Sequence, residues 1–247
     1  MEEIKQQERL QHPLRMGILG TGNIVRDFVH GVRTSNMVTV TTVSSRDHSR
    51  ASGFAAELGL PAACGSYDEL LGLSEIDAIY NPLPNTLHAE WSIRATQAGK
   101  HVLCEKPLAA TAAEAKAMTE AARDAGVYLV EAYPYRSQPI NERLKALLGA
   151  GEIGKVKFIR ADFGFPMTDE TNIRLNPALK GGSLWDAGCY PISLVTMVAQ
   201  ERPGRVQAAA TWATSGVDKS VAATLEFDGG LIAQISCASP PRFIVTR

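Results

Sequence analysis

Over residues 14–131, short apolar runs alternate with stretches whose apolar residues recur every three or four positions, and that alternation narrows the fold more than any other feature of the chain. A strand that is apolar along its whole length must be covered on both faces. Helices crossing over between parallel strands supply the cover, so the pattern calls for βαβ units around a parallel sheet. Met16-Gly17-Ile18-Leu19 reads as the first strand, and the helix after it places Ile24, Val25, Phe28, Val29 and Val32 on one face. A β-branched second strand over 38–43 leads to a helix over 49–58, stopped by Gly59 and Pro61. Asp77-Ala78-Ile79-Tyr80 reads as the fourth strand, reached through a turn at 67–71, and the next helix covers about 86–98. His101-Val102-Leu103-Cys104 then runs directly into Glu105-Lys106-Pro107. Thr111-Ala112-Ala113-Glu114 fits a capping box for an alanine-rich helix closing at Gly126, before a sixth strand over 127–130.

Beyond about residue 150 the period changes. Residues 156–165 alternate, 221–227 and 231–237 flank the hairpin turn Asp228-Gly229-Gly230, and a helix covers 193–199. The expected fold class is therefore α/β: a polar extension over 1–13, a Rossmann-type doubly wound parallel sheet over 14–135, then an α+β domain over 136–247 with an open, mainly antiparallel sheet. The chain stops at Arg247 soon after a strand, so the second sheet is expected to be incomplete, with an unpaired edge at the strand ending on Cys237.

Composition excludes several classes. A formal net charge of −1 with no run of five basic residues gives no electrostatic case for nucleic acid or an anionic membrane. No stretch approaches the roughly 20 apolar residues of a membrane-spanning helix, and the polar N-terminus lacks the apolar core of a signal peptide. Cys64, Cys104, Cys189 and Cys237 are widely spaced, with no His/Cys cluster at zinc spacing, so free thiols in the cytoplasm and no metal are expected.

Gly20-Thr21-Gly22-Asn23-Ile24 follows a strand and opens a helix, the setting in which a glycine pair receives a dinucleotide. Gly20 permits the tight turn, Gly22 lets backbone approach the pyrophosphate, and the helix N-terminus offers N–H groups to it. Val25 stands where a third glycine is usual. At the end of the second strand, Ser45-Arg46-Asp47 carries no carboxylate where an NAD site would bind the ribose diol; Arg46, with Arg50 one turn on, suits the 2′-phosphate of NADP better than NAD. The alternative leaves both arginines solvated and gives the ribose to Asp47.

Lys106 precedes a proline, so it is held extended at the carboxyl end of a parallel strand, the edge at which ligands collect. Tyr190, with a reference pKa near 10, becomes a usable base if a lysine ammonium about 4–6 Å away favours its phenolate. Asp186, four residues earlier, shares its side of a helix beginning there and could bind a substrate hydroxyl. Otherwise Asp186 caps that helix and Tyr190 packs in a core.

Together, Gly20-Thr21-Gly22-Asn23-Ile24, Ser45-Arg46, Asn81-Pro82-Leu83-Pro84-Asn85-Thr86-Leu87-His88, Glu105-Lys106-Pro107 and Gly181-Gly182-Ser183-Leu184-Trp185-Asp186-Ala187-Gly188-Cys189-Tyr190 resemble the Gfo/Idh/MocA oxidoreductases. The resemblance implies Lys106 as catalytic lysine with Asp186 and Tyr190 as partners. It implies cofactor contacts from Gly20, Thr21, Gly22, Asn23, Ile24, Ser45, Arg46, Arg50, Asn81, Leu83, Asn85, His88, Glu105 and Lys106, and an Arg174 able to reach the cofactor. It further implies an NADP(H)-dependent enzyme acting on a carbinol carbon of a small sugar, polyol or cyclic diol, and a homodimer formed through the outer face of the second sheet. Departures include Gln138 in place of a frequent histidine, and Lys180 where a glycine run would start. A nicotinamide-dependent glycoside-cleaving enzyme and a non-catalytic dinucleotide sensor remain the alternatives.

Overall fold

The computed structural model describes residues 13–239 apart from Thr168 and Glu170, and the polar extension expected over 1–13 falls almost wholly outside them. Two compact units divide at Ala132/Tyr133. In the first, β1 (Leu14–Leu19), β2 (Val38–Ser44), β3 (Ala62–Cys64), β4 (Ala78–Asn81), β5 (His101–Glu105) and β6 (Leu129–Ala132) form one parallel sheet in the order β3-β2-β1-β4-β5-β6. Helices α1 (Asn23–Val32), α2 (His48–Leu58), α3 (Tyr67–Leu71), α4 (His88–Gln97) and α5 (Ala112–Asp124) cross over between the strands.

The apolar stripes read from the sequence account for the layers. Val25 and Val29 of α1 and Phe54, Ala55 and Leu58 of α2 pack on Met16, Ile18, Val40, Val43 and Tyr80, covering one face of the sheet. Leu70 and Leu71 of α3, Ala95 of α4 and Met118 of α5 cover the other, against Leu19, Ile79, Val102 and Cys104. Val25, in place of the third glycine, is fully buried in the first of these layers. Strand order reverses between β1 and β4, and in such sheets the crevice beyond the carboxyl ends of those strands is where ligands bind. Gly20, Ser45, the residues after Asn81, and Lys106 all follow the carboxyl ends of their strands.

The second unit holds α6 (Pro139–Gly149), β7 (Phe158–Gly164), α7 (Cys189–Ala199), β8 (Arg205–Trp212), β9 (Asp218–Glu226) and β10 (Ile232–Ala238). Its sheet runs β7-β10-β9-β8, antiparallel except for the parallel pair β7 and β10. Val195 of α7 packs with Ala161, Leu225, Ala233 and Ile235 on one face. Two expectations are corrected here. The strand ending near Cys237 is no edge: β10 lies between β7 and β9, and the edges of the described sheet are β7 and β8, the latter without a clear signal in the sequence. The helix expected from residue 193 begins at Cys189, which puts Tyr190 in its first turn.

Candidate active site

In the first unit, the turn after β1 is built as a cradle. Gly20 has φ +83, and a Cβ there would lie 3.0 Å from Leu83 Cδ2, so the turn and the packing of Leu83 beneath it both require glycine. Gly22, the residue before α1, has an ordinary extended backbone (φ −75, ψ 163). Among the described residues, a Cβ at Gly22 would meet no atom within 4 Å. The fold does not need a glycine there, whereas a ligand lying close to the backbone would. Among the described residues no side chain caps α1, and its first turn carries no acid to compete with an anion for the helix N-terminus.

At the end of β2, Asp47 caps α2: its Oδ1 accepts from the Ser49 amide (2.8 Å), the Ser49 hydroxyl (2.7 Å) and the Arg50 amide (3.4 Å). The Ser49 hydroxyl and the two amides hold its carboxyl below the usual range. That carboxylate is turned into the helix, which disfavours the alternative in which it binds a ribose diol. Arg50 Nε instead donates to Thr21 Oγ1 at 2.8 Å, bringing a guanidinium beside the glycine turn. Burial raises the Tyr67 phenol, and Arg46 and Arg50 are close enough to oppose that rise. Arg46 is exposed, whereas the Ser45 side chain is buried. The donor set fits a dinucleotide bearing an extra phosphate.

The turn after β5 is braced from several directions. Glu105 Oε1 accepts from Tyr80 Oη at 2.8 Å, and its Oε2 accepts from the Lys106 amide at 3.3 Å. Tyr80 is 1% exposed and stacks on Phe28, with ring centroids 4.1 Å apart. Burial and the neighbouring Glu105 push its phenol far above the ordinary value, so it stays a neutral donor. Lys106-Pro107 is a cis bond, and the Leu108 amide donates to Glu131 Oε1 at 2.8 Å.

Two side chains expected against the cofactor are engaged inside the protein. Asn81 is fully buried; its Nδ2 donates to the His88 carbonyl (3.2 Å) and Ser92 Oγ (3.0 Å), while its Oδ1 accepts from the Leu83 amide (3.3 Å). His88 is 1% exposed, with Nε2 2.7 Å from the Leu83 carbonyl and Nδ1 2.8 Å from the Pro107 carbonyl. Both side chains shape the loop after β4. Asn85 opens a 3-10 turn, half-buried, and Asn23 and Ile24 are exposed at the start of α1.

In the second unit, Asp186 lies in a π-helical turn, Leu184–Gly188, that continues into α7. Its Oδ2 accepts from Arg174 Nε at 2.6 Å, and the Arg174 guanidinium sits 5.8 Å from the centre of the Phe165 ring. Asp186 and Arg174, expected on substrate and cofactor respectively, are therefore paired with each other. The Arg174 segment is held by close backbone contact: the Gly182 amide donates to the Arg174 carbonyl (2.8 Å), and a Cβ at Gly181 would run into that carbonyl. Tyr190 is half-buried among aromatic rings, with centroids 4.9 Å from Phe163, 5.4 Å from Tyr133 and 6.2 Å from Tyr135. Tyr135 Oη donates to Ser193 Oγ (2.8 Å) and Tyr133 Oη to the Cys189 carbonyl (3.3 Å), fixing two of these rings on α7.

Sequence reasoning overlooked Phe163, Tyr133, Tyr135 and Asp218. The first three had a signal in the alternation over 156–165 and in the aromatic pair after the sixth strand. Asp218 had none: its Oδ2 accepts from Ser183 Oγ (2.7 Å) and the Leu184 amide (2.6 Å), capping from β9 the turn that carries Asp186. Among the described residues no His, Cys, Asp and Glu gather into a metal-binding group, and no helix is long and apolar enough to cross a membrane.

Comparisons with known proteins match residues 14–133 to the GFO_IDH_MocA model, described as an oxidoreductase family with an NAD-binding Rossmann fold, and residues 141–240 to the GFO/IDH/MocA C-terminal domain. The chain is 43% identical over 225 residues to D-xylose 1-dehydrogenase (NADP(+)) 2 of Haloferax volcanii, covering 90% of this chain and 68% of that one. It is 39% identical over 218 residues to the trans-1,2-dihydrobenzene-1,2-diol dehydrogenase of Xenopus laevis, covering 87% of this chain and 66% of that one. A 3-ketoreductase from Actinomadura kijaniata, solved with NADP and TDP-benzene, superposes with a TM-score of 0.82 at 30% identity, over 92% of this chain and 70% of that one. The chain thus spans about two thirds of the length of these relatives. The Actinomadura enzyme has also been solved with one tyrosine replaced by phenylalanine and with one lysine replaced by alanine, at positions as far apart in that chain as Lys106 and Tyr190 are in this one.

Proposed function

The chain belongs to the Gfo/Idh/MocA oxidoreductase family, and we propose that it is an NADP(H)-dependent dehydrogenase or reductase acting on a carbinol carbon of a sugar, polyol or cyclic diol. The observation that carries the proposal is the cradle at Gly22, which accepts a Cβ without touching protein at the switch point of the sheet. Arg46 and Arg50 extend that cradle with positive charge, while Asp47 is occupied as a helix cap. The name of the Haloferax relative, a D-xylose 1-dehydrogenase (NADP(+)), supports the same cofactor and substrate class, and the Actinomadura 3-ketoreductase, solved with NADP, supports the same cofactor.

The bound nicotinamide supplies or accepts the hydride. Tyr190 takes the hydroxyl proton in oxidation and returns it in reduction, and Lys106, at the carboxyl edge of the parallel sheet, is the proposed catalytic lysine. Glu105, held by Tyr80, orients the backbone at Lys106. Asp186, fixed by Arg174 and by the turn that Asp218 caps, receives a substrate hydroxyl with its remaining acceptor capacity. The rings of Phe163, Tyr133 and Tyr135 keep Tyr190 in one orientation and limit its hydration.

Residues 14–135 are proposed to serve as the dinucleotide-binding domain and 136–247 as the substrate domain. Four free, buried cysteines fit a cytoplasmic setting. A homodimer is proposed through the outer face of the second sheet, where Gln207 and Ala209 of the exposed strand β8, with Thr224 and Ser236, line an open depression. Sedimentation should give a dimer at micromolar concentration, and a monomer would count against that face. Purified protein should turn over aldoses or diols with NADP in preference to NAD. Failure to bind either dinucleotide, or redox-neutral turnover with the cofactor retained, would overturn the functional proposal.

A further inference from the structure

We propose that His88 is a positioning residue, tying the loop after β4 to the Lys106-Pro107 turn and so fixing where Lys106 stands relative to the Leu83, Pro84 and Asn85 backbone. The inference rests on the assignment of Lys106 as catalytic, and goes beyond the sequence expectation that His88 lies against the cofactor. The ring lies between two backbone carbonyls on different crossovers: Nε2 is 2.7 Å from Leu83 and Nδ1 is 2.8 Å from Pro107. Leu83 and Pro107 are 24 residues apart in sequence, and His88 contacts both from the first position of α4.

The imidazole itself has little freedom. The His88 backbone carbonyl accepts from Asn81 Nδ2 (3.2 Å), and the same Asn81 takes the Leu83 amide on its Oδ1 (3.3 Å), so ring, loop and strand β4 form one buried network. A neutral imidazole donates to one of the two carbonyls, and an imidazolium to both. Burial works against the charged form and lowers the pKa, while the two carbonyls and Glu105 favour charge and Lys106 opposes it. The imidazolium hydrogen-bonds both strand-end segments, whereas the neutral ring donates to one of them and holds the other by packing alone. The other side of the Lys106 turn is braced separately, by Tyr80 on Glu105 and by Glu131 on the Leu108 amide. His88 is the brace that reaches across to the loop carrying Asn85.

The chemistry suggests a discriminating pair of variants. The amide nitrogen of asparagine occupies nearly the place of histidine Nδ1, and that of glutamine nearly the place of Nε2. His88→Asn should keep the Pro107 contact and lose Leu83, while His88→Gln should keep Leu83 and lose Pro107. His88→Ala loses both. Hydrogen exchange on cofactor-free protein, followed in peptides covering 82–87 and 103–110, reads the tie directly. His88→Asn should accelerate exchange mainly in the first peptide, His88→Gln mainly in the second, and His88→Ala in both. Because misplacing a catalytic group by about 1 Å costs on the order of 10²-fold, kcat should fall by about that factor in His88→Gln and His88→Ala with KM changed less than about threefold.

If all three variants lose thermal stability alike while exchange in the two peptides stays at the wild-type rate, His88 is only packed and the proposal is overturned. Unchanged kcat in His88→Gln, despite faster exchange at 103–110, overturns it too. A Lys106→Ala control separates the two failures: if it retains turnover, the catalytic assignment is what has failed, and the exchange data still decide whether the tie exists.

Discussion

Replacing Gly22 by alanine separates what the fold needs from what the cofactor needs. At φ −75 and ψ 163 alanine is unstrained, and its Cβ would touch no protein atom within 4 Å. Removing a glycine from the unfolded chain at such a position stabilises by about 0.4–1 kcal/mol. With about 2–4 °C of Tm per kcal/mol for a chain of this size, Tm should rise by about 1–4 °C. The same methyl group projects into the open space in which the pyrophosphate is proposed to lie. Overpacking of that kind costs about 1–3 kcal/mol, which converts to about a 5- to 150-fold weaker Kd for NADPH. Gly20→Ala is the contrasting control. Its φ of +83 and the 3.0 Å approach to Leu83 Cδ2 should cost the folded protein itself about 1–3 kcal/mol. Thermal unfolding without cofactor and fluorescence titration with NADPH measure the two effects separately. A Gly22→Ala protein that binds NADPH as tightly as the parent would refute the reasoning, as would one destabilised by more than about 1 kcal/mol, a shift ordinary surface substitutions do not reach.

Arg46→Ala should remove most of the preference for NADP over NAD, since one charge-assisted pair is worth about 1.5–3 kcal/mol; equal affinity of the parent protein for both cofactors refutes it. Tyr190→Phe should leave NADPH affinity nearly unchanged and lower turnover by about 10²–10⁴. Lys106→Ala should fall at least as far and the double variant little further, because residues acting as a unit are not additive; an active Tyr190→Phe beside a dead Lys106→Ala makes the lysine the base. Asp218→Ala strips the acceptor from the Ser183 hydroxyl and the Leu184 amide, so Tm should fall by about 4–12 °C, from about 2–3 kcal/mol of charge-assisted hydrogen bonding. Its kcat should fall as well, through the turn that carries Asp186, and a Tm within about 1 °C of the parent would show that the cap is not needed.

Local periodicity and chain chemistry made much of the first unit legible. The apolar stripe of α1, the stop at Gly59, the cap at Thr111 and the glycine turn each depend on residues within a few positions, so the sequence records them directly. Asp47 was harder. A carboxylate after β2 can bind a ribose or cap a helix, and only the observed contacts with the Ser49 and Arg50 amides settle its side chain on the cap. Asn81 and His88 matched a motif whose spacing fixes their place after β4 without telling which way a side chain turns. Burial turned both inward, since polar groups removed from water must find partners, and the carbonyls of Leu83, His88 and Pro107 were the acceptors at hand.

The second unit shows the division most clearly. Alternation over 156–165 and the Asp228-Gly229-Gly230 turn are short-range, and they located β7, β9 and β10. Insertion of β10 between β7 and β9 leaves no local mark, because strand order is set by which apolar faces can be buried together rather than by any one segment. For the same reason the strand ending at Cys237 is interior, and the edges of the described sheet are β7 and β8. The pairing of Arg174 with Asp186, and the cap that Asp218 provides from 35 residues away, are likewise contacts between distant segments. The chain by itself determined the residue types of the site and the strand ends they follow, because these depend on neighbours in sequence. Which of those groups face a ligand and which are bound to one another was decided by tertiary structure alone, where burial obliges each polar group to take the partner that packing brings within reach.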